Sequence, residues 1–216
     1  MWQGRNRLAH AALLSHSGHA NVSQACRHGI PRRRVFGGRQ DTVVPTNTKG
    51  DETMNPNDAV RQQLAWNLRA GNAHLSFEDA VAEFPEAHIN TRPANVDYSF
   101  WSLVEHLRLT QADILRYVTD PAYTEPEWPR DYWPAQDVEV TQAEWDASVA
   151  GFLADREALA AMIEDKGNDL LMPVPSHAGH TLLREVLIII DHNAYHIGEL
   201  AILRQVAGAW GPGHEE

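Results

Sequence analysis

The stretch from about Thr181 to Val206 constrains this chain most. It opens on the almost wholly apolar "LLREVLIII" and continues as "DHNAYHIGEL". Gly208 offers a stop just beyond it. A helix this apolar has to bury itself, yet it carries two imidazoles, His192 and His196, four residues apart. Residues at that spacing differ by roughly 40° around a helix, so both side chains reach one point. Burying an imidazole without a partner is costly, so the fold has to supply either hydrogen-bond partners or a metal.

Three further helical segments accompany it. The first begins near Asn57, an expected N-cap, with Val60, Leu64 and Leu68 at helical spacing. A short helix follows in "SFEDAVAEF", where Ser76 and Asp79 fit a capping pattern. The second long helix is Ser99 to Val118, with Phe100, Leu103, Val104, Leu107, Ile114, Leu115 and Val118 along one stripe that Gln111 interrupts. His106 sits at its edge. The third opens on "TQAE", a capping box of Thr141 and Glu144, and is expected to end near Gly167. Between the second and third lies "TDPAYTEPEWPRDYWPAQDVEV", whose four prolines forbid a helix. Its Tyr123, Trp128, Tyr132 and Trp133 predict a loop that packs down, as a lid over one end of the core or as the wall of a substrate pocket. No segment alternates as a strand would. The expected fold is all-α, an antiparallel four-helix bundle.

Residues 1–53 do not share this pattern. They hold eight Arg/Lys against three acids, a net +5, so with a total of −11 the remainder carries −16. A transit peptide and a twin-arginine signal at "RRRVF" compete with a disordered extension; no apolar run follows the arginines, which argues against export. Met54 opens "MNPNDAVRQQL", which reads as a natural start, so 1–53 is expected to be an extension and 54–216 the folded domain. The acidic domain disfavours nucleic acid. The longest uninterrupted aliphatic run, Val186 to Ile190, is too short to cross a bilayer. One cysteine, Cys26, excludes an internal disulfide and a CxxC site. A cytoplasmic setting, a small-molecule substrate and a homodimer are the corresponding expectations, with no nucleic acid or membrane as partner.

The HxxxH pair alone is weak evidence for a metal, since twelve histidines give some four-apart pairs by chance. No Glu follows His192, so the zinc-peptidase motif HExxH and its general base are absent. A third histidine on another core-forming helix, His106, strengthens the metal reading, because bundles build such sites from facing helices. Together, "SFWSLVEHLRLTQADILRY" and "HTLLREVLIIIDHNAYHIGELAILRQ" resemble the DinB-like (DinB/YfiT-like) four-helix-bundle metalloproteins over about residues 57–210. That resemblance implies a divalent metal, often zinc or nickel, held by His106, His192 and His196. Some relatives are thiol S-transferases or thiol-dependent isomerases, so it also implies a low-molecular-weight thiol as cosubstrate.

Glu199, on the stripe of His192 and His196, and Asp113, seven residues after His106, are candidates to orient an imidazole. His177 and His180 are expected to cap or to lie in a loop. Asp191 points about 100° away from His192 and needs a separate explanation. Metal-assisted hydrolysis is the alternative chemistry. A stress-associated, non-catalytic helical binding protein is the alternative class.

Overall fold

A computed structural model describes residues 55–70 and 73–211. The chain divides into Met1–Asp51 and Glu52–Glu216, and the expected extension over 1–53 lies outside the described residues. The elements are α1 (Pro56–Ala70), α2 (Phe77–Val81), a 3-10 turn (Glu86–His88), α3 (Phe100–Thr119), α4 (Gln142–Glu164), β1 (Pro173–Val174), β2 (His177–Thr181) and α5 (Leu182–Ala207).

Helix starts follow side-chain chemistry. Ser76, Ser99, Thr141 and Thr181 each accept a backbone N–H of the first turn, and Thr141 with Glu144 closes the capping box. At α1 the cap is one step earlier than expected. Asn55 accepts the Asn57 N–H at 2.9 Å, and Pro56 takes the first helical position, where its missing N–H costs nothing. Gly208 ends α5 at φ +64°, a conformation strained for any side chain. α4 stops at Glu164, short of Gly167, because the Asp165 side chain turns to bind the Gly167 N–H.

Two features depart from the expected architecture. The first is the small antiparallel pair β1–β2, which the sequence pattern did not announce. "HAGHT" has no apolar alternation; its strand is held by pairing with Pro173–Val174 rather than by a buried face. The second is direction. α5 runs antiparallel to α3, as Tyr98–Glu199, Gln111–Asn193 and Tyr117–His180 contacts show. α1 runs antiparallel to α4, with Arg61 at Ile163 and Arg69 at Glu157. But α3 and α4 run the same way: Glu105 meets Ser148 and Gln111 meets Phe152. Parallel neighbours need a return crossover, and residues 120–141 provide it. They run back along α3, whose 20 residues span about 30 Å. Gly151 lets the two helices approach, since a Cβ there would meet the Arg108 stem at 2.9 Å.

Apolar packing falls into two clusters. One joins Leu64 and Leu68, Ile114 and Val118, Leu159 and Ile163, and Val186 and Ile189. The other joins Phe77, Phe100, Leu103, Leu107, Phe152, Ile197 and Leu200. Gln111 and Asn193, hydrogen-bonded at 2.8 Å, lie on α3 and α5 between the stretches that feed the two clusters. Val60 is 44% exposed, so the apolar stripe of α1 begins only at Leu64. Asp191 is exposed and needs no helix partner. α5 as a whole, unlike its aliphatic run, is long and apolar enough to cross a membrane by length and composition. Here it packs against α1, α2, α3 and β2.

Candidate metal centre

The antiparallel register of α3 and α5 sets His106 opposite His192 and His196. One ring nitrogen from each of the three lies within 4.8 Å of the others. The Nε2 atoms of His106 and His192 are 3.1 Å apart. His106 is 2% exposed, and His192 and His196 are half-buried. Three imidazoles grouped this closely can hold a divalent cation.

The outer hydrogen bonds state where the protons are. His106 Nδ1 lies 2.7 Å from the Tyr132 carbonyl oxygen. A carbonyl only accepts, so Nδ1 carries the hydrogen and Nε2 turns a lone pair inward. His196 Nδ1 lies 2.8 Å from Glu199 Oε2, and Tyr98 donates its hydroxyl to the other oxygen of Glu199. Burial of Glu199 opposes ionisation, but the bonds from His196 and Tyr98 hold its pKa below the ordinary carboxylate value. Glu199 therefore accepts as an anion, and His196 also presents an Nε2 lone pair. This outer support fixes ring orientation and raises ligand basicity. Burial, then Glu199, pushes the Tyr98 hydroxyl pKa up, so that phenol stays protonated at neutral pH.

The crossover loop completes the surroundings. Trp133 stacks on His106, with centroids 3.9 Å apart and planes 4° from parallel, and its ring is 5.2 Å from Tyr98. Tyr123 and Tyr132 donate to the two oxygens of Asp113 at 2.7 and 2.9 Å. Asp113 thus touches no imidazole directly; its link to His106 runs through Tyr132. Through Tyr132 and Trp133 the loop lies against the histidine group.

Burial, and then the neighbouring His196, lowers the His106 pKa from its ordinary 6.5 to about 4; burial lowers His192 in the same direction. Both are neutral at pH 7 and ready to bind a cation without first releasing a proton. The sign for stability follows. Below pH about 6.5 the unfolded imidazole takes up a proton, while folded His106 does not until about pH 4. The unfolded state binds more protons across that window, so stability falls with pH. The His106 share is about 3 kcal/mol. Urea titrations of chelator-treated protein at pH 7.0, 5.5 and 4.5 are expected to show this loss. A His106→Leu variant should show a shallower slope; an equal slope would place the effect elsewhere.

A family model described as the DinB superfamily matches residues 73–200. This chain belongs to the DinB superfamily. No match is found among curated proteins or among solved structures. The matched part of this DinB-superfamily chain includes all three histidines, Glu199, Asp113 and the crossover loop, whereas α1 lies outside it.

His177 and His180 are not brought to the three-histidine group. They sit on β2, stacked at 4.0 Å, with His180 Nδ1 2.6 Å from the Tyr117 hydroxyl. Tyr98, Tyr132 and Trp133 are the neighbours the sequence did not assign. The aromatic content of the loop flagged the latter two; nothing in "ANVDYSF" singles out Tyr98.

Proposed function

We propose that this DinB-superfamily chain is a metal-dependent enzyme. His106, His192 and His196 hold one divalent cation, zinc or nickel, and the substrate is a small molecule transferred to or from a low-molecular-weight thiol. The framework is a four-helix bundle of α1, α3, α4 and α5, with the α3–α4 crossover forming one wall of the site. The observation that carries the reading is the convergence of three ring nitrogens, two of them with their Nδ1 hydrogens held outward. A cation on three neutral imidazoles keeps its full charge and lowers the pKa of a bound water or thiol.

The chain's own groups then divide the work. His106 and His196 are locked by the Tyr132 carbonyl and Glu199. Trp133 and Tyr98 provide apolar and hydroxyl surface beside the rings. Thiol chemistry is favoured over hydrolysis by Glu199. It is the carboxylate in contact with the group, and both its oxygens are engaged by His196 and Tyr98, which makes it a poor general base. A thiolate needs no base once formed.

The test is elemental analysis of the full chain, as purified and after refolding with zinc or nickel, followed by thiol titration of the cobalt-substituted protein. One metal per chain and a thiolate-to-cobalt absorption band are expected. No metal above that of a surface-histidine control would overturn the metal reading. Bound metal whose spectrum ignores every thiol offered would overturn the transferase reading and favour a structural ion.

A further inference from the structure

Across residues 120–141, the crossover from α3 to α4, every residue is exposed or half-buried except Tyr132, which is 7% exposed. The segment has neither helix nor strand. Ordering such a stretch costs conformational entropy at each residue, so a few contacts have to hold it in place.

Tyr132 is held at both ends. Its carbonyl oxygen accepts from His106 Nδ1 at 2.7 Å, and its hydroxyl donates to Asp113 Oδ2 at 2.9 Å. His106 and Asp113 are seven residues apart on α3, so they lie about 20° apart around the helix and about 10 Å apart along it. Tyr132 thus spans two points on one helix face. The next residue, Trp133, stacks on the His106 ring at 3.9 Å.

The other oxygen of Asp113 accepts from Tyr123 at 2.7 Å. Both ends of the stretch 123–132 therefore close on one carboxylate. Between those ends the chain stands off α3. An open groove of about 560 Å³ separates Arg108, Ala112 and Arg116 of the helix from Thr124, Glu125 and Pro126 of the crossover. The Asp131 and Tyr132 N–H groups donate to the Glu127 and Pro129 carbonyls, which shapes the turn but does not tie it to α3. Asn90 pairs with Val140 at 2.9 and 3.0 Å, which fixes the far end of the crossover and not Tyr132. The two hydroxyl bonds to Asp113 are what fasten this stretch to the helix that carries His106.

We infer that Asp113 is a positioning residue for the histidine group. It holds the Tyr132 hydroxyl, which brings the Tyr132 carbonyl to His106 Nδ1 and lays Trp133 on the ring. A ligand imidazole loses affinity for its metal when its outer acceptor moves away. The inference deepens the three-histidine reading and rests on it.

The experiment uses the full chain, with zinc competition and, on chelator-treated samples, amide hydrogen exchange of residues 128–133. Asp113→Leu is of similar size and removes both acceptors. It is expected to weaken zinc binding about 10–100-fold and to speed exchange in that stretch. Tyr132→Phe removes one hydroxyl and leaves the carbonyl that meets His106. It should also weaken zinc binding, and adding it to Asp113→Leu should weaken it no further. A merely structural Asp113 would lower the urea midpoint and leave zinc affinity unchanged, which would overturn the inference. Additive effects of the two substitutions, or unchanged exchange, would do the same. If wild type takes up no zinc, the three-histidine reading falls, and the exchange comparison still shows whether Asp113 holds the crossover. Should Asp113→Leu fail to fold, Tyr132→Phe decides: weaker zinc binding supports the inference and wild-type affinity overturns it.

Discussion

Replacing any one of His106, His192 or His196 by alanine is expected to weaken zinc binding by about 10²–10³-fold. Structural zinc held by four ligands is bound by roughly 10–16 kcal/mol, or about 2.5–4 kcal/mol per ligand. No replacement ligand stands ready for His106 or His192, because Glu199 is held by His196 and Tyr98. The three variants should part company in stability. His106 is 2% exposed, stacks on Trp133 and donates to Tyr132, so His106→Ala leaves a cavity and an unpaired carbonyl. It should lose about 2–3 kcal/mol. His196→Ala leaves Glu199 with Tyr98 at a partly exposed position and should lose under about 1 kcal/mol. Competition with a zinc indicator and urea unfolding of the same samples check both. His180→Ala, in the separate cluster on β2, is the control that should retain zinc. If it lost zinc as the three do, or if a single one of the three kept wild-type affinity, the ligand set would be wrong.

Arg204→Ala is expected to lower stability by about 3–5 kcal/mol, a large part of the 5–15 kcal/mol typical of a domain. Arg204 is fully buried and donates to the carbonyls of Ala80, Ala82 and Ala209 at 2.7–3.3 Å. Its guanidinium lies 3.8 Å from the Trp210 ring centre and 4.7 Å from that of Phe84. Burial lowers its pKa to about 10, still charged at neutral pH. One planar fork thus closes the end of α2 onto the end of α5, and alanine would leave carbonyls unpaired beside a cavity. Arg204→Lys should recover little, since an ammonium lacks the fork. Urea unfolding followed by circular dichroism reads the change as a lower midpoint at constant slope. A loss below about 1 kcal/mol would mean that water reaches those carbonyls.

Arg204 also illustrates what periodicity conceals. Arg61, Arg156 and Arg204 are all buried, each donating to backbone carbonyls from other segments. Read along the chain they are charges on amphipathic helices, and a pattern assigns them to solvent. Only distant carbonyls explain their burial. The cap of α1 falls at Asn55 and not at the expected Asn57 for a smaller reason: the two flank Pro56, and either could cap until the backbone path is known.

Local chemistry determined much by itself. Apolar spacing of 3.6 residues marked the long helices, and Ser or Thr followed by a run of helix formers marked three of their starts, because capping and one-sided burial are decided within a few residues. The HxxxH pair on α5 was legible for the same reason, as one helical turn fixes how its two rings stand. Which element faces which depends on contacts dozens of residues apart. The parallel course of α3 and α4, and hence the crossover that lays Tyr132 and Trp133 on His106, exists only in the packed chain. So does the acceptor of His106: a histidine and a tyrosine carbonyl 26 residues away share no local signal, and tertiary structure alone brings them to 2.7 Å, where a hydrogen can be assigned. Glu199, three residues after His196 on the same helix, is the local exception.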